Sequence, residues 1–305
     1  MFNFIYKNLN LLFFGFLIAF ASGFGQTFFI SLFSQDFRDT FKLTNTEFGS
    51  LYSIATVLSA ITIIWAGKLI DTVSLRKYTL AIILGLALTC LMASFVFNVF
   101  FLFLVIYFLR LFGQGLMGHT SRTTMARYFN TNRGKALAIS GFGFSVGEII
   151  YPAAVVFLLL TIGWRLTWLS SSIFILIFFG IFFYFIFKIN NFKKENNRDE
   201  KIDLSEISWR RRDVLKDFKF YMYLPLSLLM SFTVTGFLFH QVYISEIKSW
   251  TLINLAQGFI FYAVSGITGS IISGILIDKL TGRKIIPFHL LPMLAIFIVM
   301  LFSDH

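Results

Sequence analysis

Charge is scarce in this 305-residue chain: 13% of its residues are charged, against about 25% in a soluble domain. Hydrophobic residues make up 57%, with 42 Phe, and the mean hydropathy is +0.79. No water-soluble core could absorb that much apolar side chain, so the chain reads as polytopic and membrane-embedded. There is one cysteine, Cys90, inside an apolar run. It excludes an intrachain disulfide and a cysteine metal cluster. Four scattered His and that single Cys supply no catalytic cluster at one membrane depth, which argues against a membrane enzyme. No Gly-x-x-x-x-Gly-Lys-[Ser/Thr] phosphate loop is present, so nothing points to a nucleotide, and no cofactor is implied. The first apolar run lacks a small-residue cleavage site and more spans follow it, so it reads as a helix and not a signal peptide. The net charge of +11 does not indicate nucleic acid, because the basic residues sit in short loops between apolar runs.

Nine segments are long and apolar enough to span a bilayer: 11–33, 47–69, 78–97, 99–120, 136–160, 166–188, 218–244, 254–277 and 286–302. A span needs about 20 such residues. The one long polar stretch, 189–217, reads as a cytoplasmic linker. It separates a six-helix N-terminal half, 1–188, from three helices of a second half, 218–305; its charge also suits a short amphipathic helix on the inner leaflet. Basic residues set the orientation. With the N-terminus inside, 21 of the 26 Lys and Arg fall in cytoplasmic segments and four (Arg38, Lys42, Arg165 and Lys248) fall outside. The expected topology is therefore a multi-pass protein of the cytoplasmic membrane with its N-terminus inside.

One stretch occurs twice. Gly67-Lys-Leu-Ile-Asp71-Thr-Val-Ser-Leu-Arg76-Lys77 returns as Gly274-Ile-Leu-Ile-Asp278-Lys-Leu-Thr-Gly-Arg283-Lys284, with six of eleven positions identical and an offset of 207 residues. That offset is far too long for a solenoid unit and suits the two-half symmetry of a carrier. The charge rule places both copies on the cytoplasmic side. An Asp at a helix end can accept hydrogen bonds from a neighbouring helix N-terminus. The Arg-Lys pair can hold anionic lipid headgroups or a facing carboxylate.

This Gly-x-Leu-x-Asp-x-x-[Ser/Thr]-x-Arg-Lys pattern resembles the loop motif of the major facilitator superfamily. Arg110 with Gln114-Gly115 is similar to an Arg-x-x-Gln-Gly pattern, one residue longer. Arg127-Tyr-Phe129, Arg133-Gly134, Ala136-Leu-Ala138, Ser140-Gly141-x-Gly143 with Gly147 and Pro152, and Gly163-Trp164-Arg165 resemble the monocarboxylate and oxalate–formate branch. The resemblance implies an all-α bundle, alternating-access transport and a cytoplasmic gate built on the two loop motifs. It implies that Asp278 approaches residues 134–137 of the other half, while the inter-half partner of Asp71 belongs to an eleventh span. The family has twelve spans and this chain nine, so the expectation is a truncated product that does not transport alone. Thr72 and Ser74 stand where the family usually has Arg and Gly, and 254–277 lacks the charged residue frequent in that branch.

Ionisable residues inside a bilayer are functional candidates. Arg110 and Glu148 lie near mid-span on neighbouring helices. Helical spacing adds Tyr107 and Gln114 to the first, Ser145, Tyr151 and Pro152 to the second. Two readings stand: a buried ion pair between the helices, or a substrate and proton pathway. Gln26 and His240 are further pathway candidates, with His240 also able to serve as a helix–helix hydrogen bonder. Glu246 and Lys248 read as solvated. Gly141, Gly143, Gly147, Gly266, Gly269 and Gly274 are expected at close helix contacts. The expected function is secondary transport of a small organic anion, with protons or an exchanged solute as the coupling partner. The alternatives are a neutral or drug-like solute and a non-transporting membrane protein.

Overall fold

The structure is a computed structural model that describes residues 2–129, 132–189, 211–280, 288 and 290–302. Arg283, Lys284, His289 and most of the 189–217 linker lie outside the described residues, as do the side chains of Gly274 and Asp278. Among the described residues the fold is all helix. Six helices are long and apolar enough to cross a membrane, or seven if one bent pair is a single span.

The bent pair is α1 (Leu9–Gly25) and α2 (Thr27–Phe41), at 41° to each other. The end of α1 tightens into a 3-10 turn at Ser22–Gly25, and Gln26 is extended, φ −78°, ψ 154°. A single continuous span over 11–33 is thus corrected to two helices broken at Gln26. Helix α3 (Asn45–Thr72) starts on a capping box. Thr44 Oγ1 accepts from the Glu47 amide, and the Thr44 amide donates to the Glu47 carboxylate, which satisfies two otherwise free amides. Helix α4 covers Leu75–Ser94 and α5 covers Val99–Tyr128. The Asn98 side chain caps α5 by accepting from the Phe101 amide at 2.7 Å. The middle of α5, Leu109–Met117, is π-helical.

The segment Arg133–Tyr184 turns at Gly163, φ 75°, ψ 168°, a conformation essentially confined to glycine. The turn separates α6 (133–162) from α7 (164–184), as the Gly163-Trp164-Arg165 sequence suggested. Arg165 stabilises it by donating to Ser94 O at 3.0 Å, its guanidinium 4.2 Å from the Trp164 ring centroid. The chain continues with α8 (Phe218–Ile247), α9 (Leu252–Leu280) and the shorter α10 (Leu291–Phe302).

Lipid is as apolar as leucine, so helices in a bilayer associate by close packing and hydrogen bonds. Trp168 is fully buried between Phe29 and Phe33, at 5.4 and 4.5 Å. A Cβ on Gly143 would lie 2.2 Å from Phe16 O, which is why α6 can press onto α1 there. Gly147 is tight against the Tyr151 ring, whereas Gly141, Gly266 and Gly269 border open space. The expectation of close helix contact therefore holds at Gly143, while Gly147 is crowded by a ring of its own helix and has Phe20 of α1 at 3.6 Å.

Helix α8 lies on α2, and α9 packs against α6. Ser31 Oγ donates to Leu238 O at 2.7 Å, and Gln241 Nε2 donates to Phe28 O at 2.9 Å. Arg38 donates to Glu246 at 2.7 Å, with side chains 13% and 31% exposed. Glu246 is exposed, as a solvated residue would be, and it is also paired, because α2 carries a guanidinium to it. The Phe239 ring packs on Phe48 and Tyr52. At the opposite end, the Asp71 carboxylate is ion-paired with Arg127, which also donates to Ile70 O. The loop aspartate therefore has a partner within its own half, a guanidinium from α5 and not a helix N-terminus.

Candidate functional site

A cavity of about 670 Å³ opens between the α1–α2 break, α3, α5 and α6. Its walls follow from helical spacing. Thr56, Ser59, Ala60 and Ile63 form one face of α3, Arg110, Gln114, His119 and Arg122 project from α5, and Phe144 and Glu148 from α6. Residues three and four apart share a helix face. Gln26 enters at the break itself.

Arg110 organises this wall. It is 6% exposed. Its Nη1 donates to Thr27 Oγ1 at 3.1 Å and to Gly25 O at 3.4 Å. The Gly25 acceptor exists because α1 stops: a helix end leaves carbonyls without amide partners. Tyr52 also donates to Thr27 Oγ1, at 3.0 Å, and its ring lies 5.3 Å from the guanidinium. The approach of α5 to the break depends on two glycines. A Cβ on Gly113 would lie 2.5 Å from Gly25 Cα, and one on Gly25 would lie 2.1 Å from Leu109 O. The π-helical turns of α5 cover this contact, and π segments concentrate at functional sites.

The cavity wall holds unspent hydrogen-bonding capacity. Arg110 Nε, Gln114 Oε1, His119 Nδ1 and Thr56 Oγ1 are buried without a partner, and all four residues line this cavity. Buried polar groups are nearly always bonded, so among the described residues these four atoms are hydrogen-bonding capacity left unmet behind the cavity wall in this conformation. Among the described residues, no group of three His, Cys, Asp or Glu could hold a metal ion.

Comparison with known proteins bears on this arrangement. The profile of the Major Facilitator Superfamily matches residues 15–305. The chain belongs to the major facilitator superfamily. No curated protein matches it in sequence. Among solved structures it is similar to a bacterial homologue of the human lysosomal transporter Spinster, crystallised in an inward-facing and unoccupied conformation. The TM-score is 0.66 at 16% identity, over 90% of this chain and 63% of that one. Identity that low speaks for the fold alone, and the chain spans 63% of the length of the solved structure it matches.

Within this major facilitator fold, four of the residues singled out from sequence share one cavity: Gln26, Arg110, Gln114 and Glu148. The ion pair between Arg110 and Glu148 is not formed. Arg110 is turned to the helix break, and Glu148 makes no ion pair among the described residues. Three others are elsewhere. Tyr107 bonds Thr62 at 2.8 Å. Tyr151 donates to Phe20 O at 3.0 Å and borders a separate, largely apolar cavity of about 420 Å³. His240 lies 3.5 Å from Asn45 at the α2–α8 side of the molecule. Sequence reasoning missed His119, Arg122, Thr56 and Ser59. Arg122 counted as a loop residue because the span was ended at 120, yet α5 continues to Tyr128 and sets Arg122 over the Phe144 ring at 5.3 Å. The signal for Thr56 and Ser59 is a polar pair at helical spacing within an apolar run.

Proposed function

We propose that this chain is a secondary active transporter that moves a small organic anion of monocarboxylate type across the cytoplasmic membrane by alternating access. The observation that carries this reading is Arg110, a buried guanidinium on a polar cavity wall with its Nε left unbonded. A guanidinium matches a carboxylate through paired N–H donors. An unpaired charge in the bilayer core costs at least about 2.5 kcal/mol, so Arg110 gains most from an anionic ligand. Broken helices that meet at mid-membrane are a recurrent way to build a carrier's binding site, and α1–α2 is such a pair.

Protons or an exchanged solute supply the energy, with Glu148 and His119 as proton acceptors on the cavity wall. The N-terminus is cytoplasmic, as the loop charges argue. The α2–α8 bonds then close the outer side, and the carrier faces inward. Gly67, Asp71, Arg76 and Lys77 with Gly274, Asp278, Arg283 and Lys284 form the cytoplasmic gate, where the basic pairs also meet anionic headgroups. The pairing of Asp71 with Arg127 supports a bracing role between α3 and α5. Binding of radiolabelled lactate and oxalate to the purified chain tests this. Saturable binding that unlabelled anion competes away is expected. Binding of a neutral solute that ignores these anions would favour the drug-like alternative instead.

A further inference from the structure

Arg110 and the contact between α2 and α8 are joined by one buried side chain, Tyr52 of α3. Its hydroxyl donates to Thr27 Oγ1 at 3.0 Å, the oxygen that also accepts from Arg110 Nη1 at 3.1 Å. Its ring lies 5.3 Å from the Arg110 guanidinium and 4.6 Å from the Phe239 ring of α8. Tyr52 is 5% exposed and Phe239 8%. We infer that Tyr52 is a positioning residue that transmits the state of Arg110 to α8: while the guanidinium holds Thr27, Tyr52 keeps α8 seated on α2. The inference rests on the alternating-access reading for its place in transport, but its test needs no substrate.

The first turn of α2 is where the two ends meet. Thr27 is tied to Arg110 and Tyr52, and the next residue, Phe28, gives its carbonyl to Gln241 of α8 at 2.9 Å. Ser31, four residues after Thr27 and on the same helix face, accepts from Gln241 at 2.6 Å and donates to Leu238 O at 2.7 Å. A threonine oxygen accepts at two lone pairs, and Arg110 and Tyr52 take both. An Arg110 that leaves Thr27 therefore removes one of the two bonds that fix the start of α2. It also withdraws the cation that the Tyr52 ring attracts. The ring is then held less firmly against Phe239, on the helix that grips Phe28 and Ser31. The 41° bend at Gln26 lets α2 turn without carrying α1 with it, as hinges at the ends of helices do. Coupling between sites runs through such contiguous packed and hydrogen-bonded contacts.

The test is double electron–electron resonance on the purified full chain in detergent. Spin labels are placed at Thr40→Cys on α2 and Ile247→Cys on α8, both exposed positions, in a Cys90→Ala background. Arg110→Gln is expected to lower the ratio of short to long distances about tenfold or more, the weight of one hydrogen bond from a charged donor. Tyr52→Phe keeps the ring on Phe239 and drops the bond to Thr27, so it should shift the ratio less than Tyr52→Leu. The deciding readout is the double variant. With Tyr52→Leu present, the effect of Arg110→Gln is expected to be at least about threefold smaller, whereas a merely structural tyrosine leaves the two effects multiplicative. Full multiplication of the two effects, or an Arg110→Gln ratio equal to that of the otherwise native chain, overturns the inference. If Tyr52→Leu does not elute as a single helical species, Tyr52→Phe with Arg110→Gln supplies the same cycle. Lactate or oxalate is expected to lengthen the distance as Arg110→Gln does. Failure of that arm alone, with the mutational dependence standing, counts against the anion reading and leaves the role of Tyr52 supported.

Discussion

Replacing Gly25 by Ala tests how the site is built. The added Cβ would lie 2.1 Å from Leu109 O, 2.6 Å from Gly113 Cα and 2.7 Å from the Gln114 amide nitrogen. All three are backbone atoms, so no side chain can rotate away, and α1 must lift off the π-helical part of α5. Overpacking of this kind costs about 1–3 kcal/mol. The same movement withdraws Gly25 O from Arg110, and a hydrogen bond from a charged donor contributes about 1.5–3 kcal/mol. The expected loss is therefore about 2.5–6 kcal/mol. Thermal unfolding of the detergent-solubilised chain, followed by tryptophan fluorescence, reads it. Gly141→Ala is the control: its Cβ meets nothing within 4 Å, and Ala in a helix is favoured over Gly by roughly 0.5–1 kcal/mol. A Gly25→Ala protein as stable as Gly141→Ala would refute the close contact between the α1 break and α5.

Other consequences follow from the same contacts. Gly163→Ala forces a side chain into a positive-φ turn and should lower stability by about 1–3 kcal/mol in the same assay. Gln241→Leu removes the donor to Phe28 O and Ser31 Oγ; spin labels on α2 and α8 should then report a wider or broader separation, and an unchanged distance distribution would count against the α2–α8 closure. Asp71→Asn breaks an ion pair whose side chains are 39% and 53% exposed, so stability should fall by no more than about 1 kcal/mol. A larger loss would mean that the aspartate has another buried role.

The bundle was legible in the sequence because span length, loop charge and the repeated motif are properties of the chain alone. Gly163 announced its turn because a glycine next to Trp164 and Arg165 interrupts two apolar runs. The break at Gln26 was not legible. Residues 11–33 are almost uniformly apolar and contain no proline, and the break is held by tertiary partners: Arg110 on Gly25 O and Thr27, and Gly113 against Gly25. Arg110 and Glu148 were recognised as intramembrane charges, but depth alone left an ion pair and a shared pathway both open. Their directions depend on the π turns of α5 and on the carbonyl that the broken helix frees. Arg122 was hidden because hydropathy ends the span before the helix ends. Glu246 looked like a loop charge because its partner, Arg38, is 208 residues away.

The most direct test of the site is the affinity of the purified chain for the anion it takes up, with Arg110 intact, changed to Gln and changed to Lys. A guanidinium that receives a carboxylate predicts no measurable binding in Arg110→Gln and only weak recovery in Arg110→Lys, since an ammonium lacks the planar fork. Both variants should still be helical and monodisperse. Wild-type affinity in a well-folded Arg110→Gln protein would contradict the account.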